Sequence, residues 1–172
     1  MIENIILDLD HTLIHCPESF SMRGPGPVSR ERFGFLRYHD VIIDDTVYLI
    51  FERPFLGPFL KSLRNKRVAI WTAADRQYAE YIVKFIIQPY LHPHQSIEFV
   101  WSRSSCDESS SRFGVLKNLD LVFEKHGPSF NRENTLIIDD NYDLLKQRNK
   151  VFVIKKFFVE NQDDTELLKL MQ

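Results

Sequence analysis

Two cysteines among 172 residues, Cys16 and Cys106, are too few for a disulfide framework, and neither has the Cys-x-x-Cys partner of a zinc site. His92 and His94, on either side of Pro93, add no convincing ligand set. No apolar run approaches the roughly 20 residues that span a bilayer, and nothing near Met1 has the order of a signal peptide. These absences lead us to expect an intracellular, reduced protein, nuclear or cytoplasmic, without membrane contact. A basic excess is missing too. The formal net charge of -2 gives no electrostatic case for direct nucleic acid binding. Gly-x-Ser-x-Gly, the triphosphate-binding P-loop and the dinucleotide glycine fingerprint are all absent, which removes three common enzyme designs. Cys106 lacks the glycine-rich, Arg-ending loop of a cysteine phosphatase and reads as structural.

What is present is ordinary in bulk and informative in order. Hydrophobic residues make up 44% and charged residues 27%, as in soluble globular proteins, and the length suits one domain, 1–172. Fourteen Phe point to an aromatic-rich core. Ile5-Ile6-Leu7 has no polar face and reads as a buried central strand of a parallel sheet. It runs into Asp8-Leu9-Asp10-His11-Thr12. Residues two apart on a strand share a face, so Asp8 and Asp10 should emerge together at its carboxyl end, where open α/β sheets bind ligands. Two ionised acids there call for a counter-charge such as a divalent cation. Asp-x-Asp alone is also common in polar turns. An EF-hand calcium loop fails, because its sixth and twelfth positions would be Leu13 and Ser19.

Further along, residues 16–40 read as an irregular loop around Gly24-Pro25-Gly26-Pro27, carrying Arg23, Arg30, Arg32 and Arg37. A hairpin is expected over 41–51, turning at Asp44-Asp45. Pro54 should open a helix with Leu56, Phe59, Leu60 and Leu63 inward, and Asp75 should cap another that Pro89 stops. Strands are expected at 68–71, 97–101, 135–138 and 151–154. The serine-rich stretch 102–111 reads as a loop and 113–125 as a helix burying Leu116, Leu119 and Phe123. Asp163-x-x-Glu166 has the spacing of a capping box for a last helix. Strands alternating with helices predict an α/β fold. It is a Rossmann-like parallel sheet of about five strands with helices on both faces, plus a small β-hairpin insertion after strand one, about 16–52.

Several elements end in complementary polar residues. Asp8 and Asp10 follow the first strand, Thr72 the second, Asp139 and Asp140 a later one, and Lys117 lies on or near an intervening helix. A carboxylate nucleophile, a second carboxylate for the proton, acids for Mg²⁺, and a hydroxyl and ammonium for phosphoryl oxygens together fit phosphoryl transfer.

In that order the chain resembles the haloacid-dehalogenase superfamily of aspartate-nucleophile phosphatases. The first motif, D-x-D-x-T, is Asp8 to Thr12. The resemblance is closer to its FCP/SCP branch (NLI-interacting-factor-like), which acts on the C-terminal domain of RNA polymerase II. Arg53-Pro54, Trp71-Thr72-Ala73-Ala74, Arg103-Ser104-Ser105-Cys106, Leu116-Lys117-Asn118-Leu119, the run ending in Asp139-Asp140, and Asp164-Thr165-Glu166-Leu167 are similar to that branch's successive segments. Asn141-Tyr142 departs from its usual Ser-Pro.

The resemblance implies an aspartyl-phosphate on Asp8, with Asp10 as acid and then base. It implies Mg²⁺ held by Asp8, the Asp10 main-chain carbonyl and Asp140, with Asp139 orienting Lys117 or a water. Thr72, Ala73, Lys117 and Arg103 would meet the phosphoryl group. The expected partner is a phosphoserine or phosphothreonine protein, such as the polymerase tail. Phe33, Phe35, Tyr38, Ile43 and Tyr48 are candidates for its pocket, though each also fits a core. Two alternatives stand beside this reading. One is a small-molecule or nucleotide phosphatase, which many relatives build with a sizeable cap. The other is a phosphopeptide-binding domain that has lost catalysis.

Overall fold

The computed structural model describes residues 1–17, 19–21, 35–146 and 150–171. In chain order the elements are β1 (Asn4–Leu7), β2 (Ile14–His15), β3 (Ser19–Ser21), β4 (Tyr38–Ile43), β5 (Thr46–Glu52) and α1 (Leu56–Ser62). After them come β6 (Arg67–Trp71), α2 (Arg76–Ile82), β7 (Ile97–Trp101), α3 (Arg103–Phe113), α4 (Leu119–His126), β8 (Thr135–Asp139), β9 (Val151–Val153) and α5 (Glu166–Lys169).

All four residues of β1 are buried, as a strand without a polar face must be. It lies at the centre of a five-stranded parallel sheet in the order β7-β6-β1-β8-β9. Alternation divides its side chains between two cores. Ile5 and Leu7 join Val68, Ile70 and the α1 and α2 residues Leu56, Phe59, Ala79 and Ile82. Ile6 joins Ala69, Trp71, Ile137 and the α4 residues Leu119 and Val122 on the opposite face. Truncating any of these large side chains to Ala would cost about 2–5 kcal/mol. Helices thus cover both faces, as the alternating pattern predicts. Among the described residues no helix is long and apolar enough to cross a membrane.

The insertion is larger than a hairpin. β4 and β5 do turn at Asp44 and Asp45, both at positive φ (46° and 58°), as a two-residue hairpin turn requires. β5 also pairs on its other edge with β2 and β3. Part of the expected 16–40 loop is therefore strand, because the open edge of β5 holds ladder donors and acceptors that need partners. Phe33, Arg23, Arg30, Arg32 and the Gly24–Pro27 stretch lie outside the described residues.

Three other expectations are corrected. The serine-rich stretch is not a loop but α3, whose sequence has no apolar stripe. Tertiary contacts hold it: Cys106 is buried against the β6 end, and Glu108 pairs with Arg112 and with Lys125 of α4. Gly114, at φ 68°, ends α3, so the following helix starts at Leu119 rather than 113 and Leu116 is left exposed. Near the end, Asp163 caps nothing. Thr165 stands at the N-terminus of the short α5 without a side-chain cap, while Asp164 accepts from Glu166 N–H and pairs with Arg53.

Candidate active site

The chain passes from β1 to β6 and β7 on one side, then crosses to β8 and β9 on the other. The crevice at such a reversal is where open α/β sheets bind ligands. It opens here between the carboxyl ends of β1 and β8, as a cavity of about 540 Å³ lined by Asp8, Asp10, Thr72, Ala73, Lys117, Asp139 and Asp140 among others. The turn after β1 is tight. Leu9 O accepts the N–H groups of Thr12, Leu13 and Ile14, and His11 takes a positive φ of 62°. That turn puts Thr12 Oγ1 3.0 Å from Asp8 Oδ2 and 3.2 Å from Asp140 Oδ1.

Lys117 reaches the site from outside the sheet. Once α3 ends at Gly114, Ser109 Oγ donates to Val115 O and accepts from Asn118 N–H, and Asn118 caps α4 by accepting from Asp120 N–H. Between these fixed points Lys117 Nζ donates to Asp8 Oδ1 and Asp139 Oδ2, both at 2.6 Å. The other oxygen of Asp139 accepts from Asn141 N–H at 2.8 Å. Thr72 is buried where β6 ends. Its Oγ1 accepts from Ala74 N–H, and its carbonyl accepts from the Cys106 thiol, whose pKa burial pushes up.

Burial pushes the Asp8 carboxyl well above the usual carboxylate range; Lys117 opposes that and Asp139 adds to it. For Lys117, burial favours the neutral amine, but the two carboxylates outweigh it and the ammonium is stabilised. Asp10 is also raised by burial, against a hydrogen bond from Tyr78 OH at 3.0 Å that favours its ionised form. Burial holds the Tyr78 phenol far above its ordinary pKa, so it remains a donor.

One observation tests whether a divalent cation fits. Thr12 has a single hydroxyl proton for two facing carboxylates, so one of Asp8 and Asp140 always lacks it. Carboxylate oxygens of Asp8, Asp139 and Asp140 lie within 4.8 Å of one another. An all-oxygen, acid-rich donor set suits a hard ion such as Mg²⁺.

The expected catalytic residues are thus brought together in one cavity. Arg103 is exposed, donates from Nε to Ala73 O at 3.1 Å, and lines an adjoining recess with Cys16, Tyr48, Asp75 and Tyr78. The recess shares Asp10, Ala73 and Ala74 with the cavity. Of the pocket candidates within the described residues, Tyr48 lines this recess, whereas Ile43 is buried in the core. Tyr38 packs its ring on Phe51, and Phe35 is 93% exposed.

Sequence reasoning missed several residues. Tyr78 reads as one more inward residue of α2, and nothing in the periodicity reveals its hydroxyl contact. His11 and Lys156 line the cavity, with His11 Nδ1 held by Phe157 O at 3.0 Å. Arg53, singled out in the sequence only as part of an Arg-Pro segment, is fully buried and uses all five N–H groups: on both Asp164 oxygens, on His11 O and Thr12 O, and on Lys155 O. An arginine before a proline at a strand end was the available signal.

Residues 3–172 match the profile of the NLI interacting factor-like phosphatases. The chain is 34% identical to the CTD phosphatase-like protein 355R of Invertebrate iridescent virus 6, an alignment covering 98% of this chain and 94% of the relative. For the corresponding protein of Invertebrate iridescent virus 3 the figures are 32%, 98% and 92%. The solved structure of Fcp1, an essential RNA polymerase II CTD phosphatase, matches with a TM-score of 0.60 at 23% identity, over 99% of this chain and 49% of that chain. This chain spans about half of that solved one, and the likeness to it is a likeness of fold. On the strength of the profile match and the viral relatives, the chain belongs to the NLI interacting factor-like phosphatase family, the FCP/SCP-type branch of the haloacid-dehalogenase superfamily.

Proposed function

We propose that this phosphatase hydrolyses phosphoserine or phosphothreonine in an extended protein segment, through an aspartyl-phosphate on Asp8 and with Mg²⁺ as cofactor. The polymerase tail named for the relatives is the first substrate to test. The observation that carries the reading is the placement of Asp8 between Lys117 and Thr12, with Asp10 beside it at the mouth of an adjoining recess.

An oxygen of Asp8 attacks phosphorus, and the bond from phosphorus to the seryl oxygen breaks. Asp10, whose pKa burial raises, gives its proton to the leaving alkoxide. It then takes a proton from the water that attacks the acyl-phosphate, releasing phosphate and restoring the Asp8 carboxylate. Thr72 and the Lys117 ammonium meet phosphoryl oxygens, as fixed donors are worth most where charge develops. Asp139, with both oxygens engaged, holds Lys117 in place. Asp8, the Asp10 carbonyl and Asp140 would hold the Mg²⁺, which when bound supplies the positive charge that keeps Asp8 ionised among its acidic neighbours. The recess beside Asp10 leaves room for residues next to a phosphoserine, which favours a peptide over a free nucleotide.

The test is phosphate release from phosphoserine and phosphothreonine peptides in Mg²⁺ and in EDTA. Release only with metal is expected, and Asp8→Asn should lose about 10³-fold or more in kcat while remaining folded. Full activity in EDTA, or substantial turnover by a folded Asp8→Asn protein, would sink the mechanism. Turnover confined to small monoesters would sink the substrate class.

A further inference from the structure

Lys156 takes no part in the chemistry above, yet it is the exposed lysine of the catalytic cavity's lining, its side chain 52% accessible. Its backbone is fixed. Ile154 N–H donates to Asp139 O at 2.9 Å, Phe157 N–H donates to His11 O at 2.7 Å, and Arg53 reaches Lys155 O. The segment leaving β9 is therefore bolted across the ends of β8 and of the turn after β1. Lys155 borders a separate recess near Asp163, while Lys156 lines the cavity.

The Lys156 ammonium lies 3.4 Å from Asp140 Oδ2, longer than the 2.7–2.9 Å of a strong charge-assisted hydrogen bond. It is tethered rather than consumed. Lys117, by contrast, is buried between Asp8 and Asp139 at 2.6 Å from each. Among the described residues, five carboxylates line the cavity against these two ammonium groups. A substrate with a second negative charge beside its phosphate would meet repulsion there unless a cation stood at the lip, and Lys156 is that cation.

We propose that Lys156 is a specificity-determining residue that binds a second anionic side chain of the substrate, close in sequence to the phosphorylated residue. Neighbouring residues of an extended chain are only about 3.3–3.6 Å apart, so an adjacent acid falls within reach of the lip. The ligand chemistry is a carboxylate or a second phosphate. The inference rests on the phosphoprotein phosphatase reading and adds to it which phosphosites are preferred.

The test uses phosphoserine peptides of equal length with Ala, Glu or a second phosphoserine placed in turn at positions near the phosphoserine on either side. Hydrolysis with Mg²⁺ gives kcat/KM, and anisotropy with the Asp8→Asn protein gives Kd. An anionic neighbour on one side should improve both by about 3- to 5-fold, the size expected of a partly exposed ion pair, and chiefly through KM. Lys156→Ala should erase that ratio, Lys156→Arg should keep it, Lys156→Glu should invert it, and added salt should shrink it. The Glu and phosphoserine arms separate acidic from multiply phosphorylated substrates. Hydrolysis of neutral and anionic peptides with equal efficiency, or a ratio unchanged in Lys156→Ala, overturns this inference and leaves the phosphatase reading intact. Neither hydrolysis nor binding of any phosphopeptide overturns both.

Discussion

In the mechanism proposed above Asp10 holds a proton in one step and gives it up in the next, and its surroundings act in opposite directions. Burial raises its pKa, while the Tyr78 phenol lowers it by donating to the ionised form. Removing that donor in Tyr78→Phe leaves burial opposed only by His11 and Lys117, so the Asp10 pKa should rise further. Both steps of the proposed mechanism use Asp10. The pH-rate profile for a phosphoserine peptide should therefore move to higher pH as a whole, with kcat falling about 10-fold near neutrality. Measuring kcat across pH for both proteins checks this, and a profile that stays in place would show that Tyr78 only packs. Tyr78 is 5% exposed and Phe keeps its ring, so the fold should survive the change.

Arg53 is the residue through which several elements share one fate. It follows β5, yet its guanidinium bonds the turn after β1, the segment after β9 and Asp164 before α5, with both Asp164 bonds at 2.8 Å. A lysine has three donors without the planar fork, so Arg53→Lys leaves a buried carboxylate or carbonyl unpaired. A cost of about 3–5 kcal/mol is expected, as for breaking a buried ion pair. That corresponds to a Tm lower by roughly 10 °C in a chain of this size. Chemical denaturation and calorimetry read the change directly, and a loss under about 1 kcal/mol would mean the network is dispensable. At the same scale, a buried Glu52 ties the insertion to the main body. It accepts from His39 on β4 and from Tyr90 beyond α2, while Arg37 also reaches Tyr90. Gly57 keeps that arrangement close, since a Cβ there would lie 2.8 Å from the Tyr90 ring.

For the molecule as a whole, His15 makes stability depend on pH. It is buried at 8% exposure, and its Nδ1 accepts from Val159 N–H at 2.9 Å, which requires a neutral ring. Burial, with His11 adding to it and Glu160 opposing, lowers its pKa to about 4. The unfolded chain therefore binds this proton more readily than the folded one. The stabilisation is complete above about pH 6.5 and is lost as pH falls towards 4, by about 3 kcal/mol at most. In His15→Asn the amide oxygen can take the place of Nδ1 without titrating. The difference in unfolding free energy between pH 7 and pH 5 should then be smaller in the variant than in the parent protein. Equal differences would mean His15 is protonated in the fold.

Local sequence was enough for the central strand, the acids at its end, the Asp44-Asp45 turn, the Asp75 cap and the parallel winding. Each is written in periodicity or in one residue's conformational preference, over a few neighbouring positions. It was not enough for α3, whose serines carry no helical pattern and which exists because Cys106 and Ser109 find partners elsewhere. Nor was it enough for the second edge of β5, or for the true start of α4 beyond Gly114. The acids proposed as catalytic were legible because they end strands, and strand ends converge in any parallel sheet. Tyr78 donates to an acid 68 positions away, and Arg53 pairs with one 111 positions away. Lys156 reaches the lip only because β9 lies beside β8. Such contacts are set by the winding of the sheet, so the tertiary structure alone decided them.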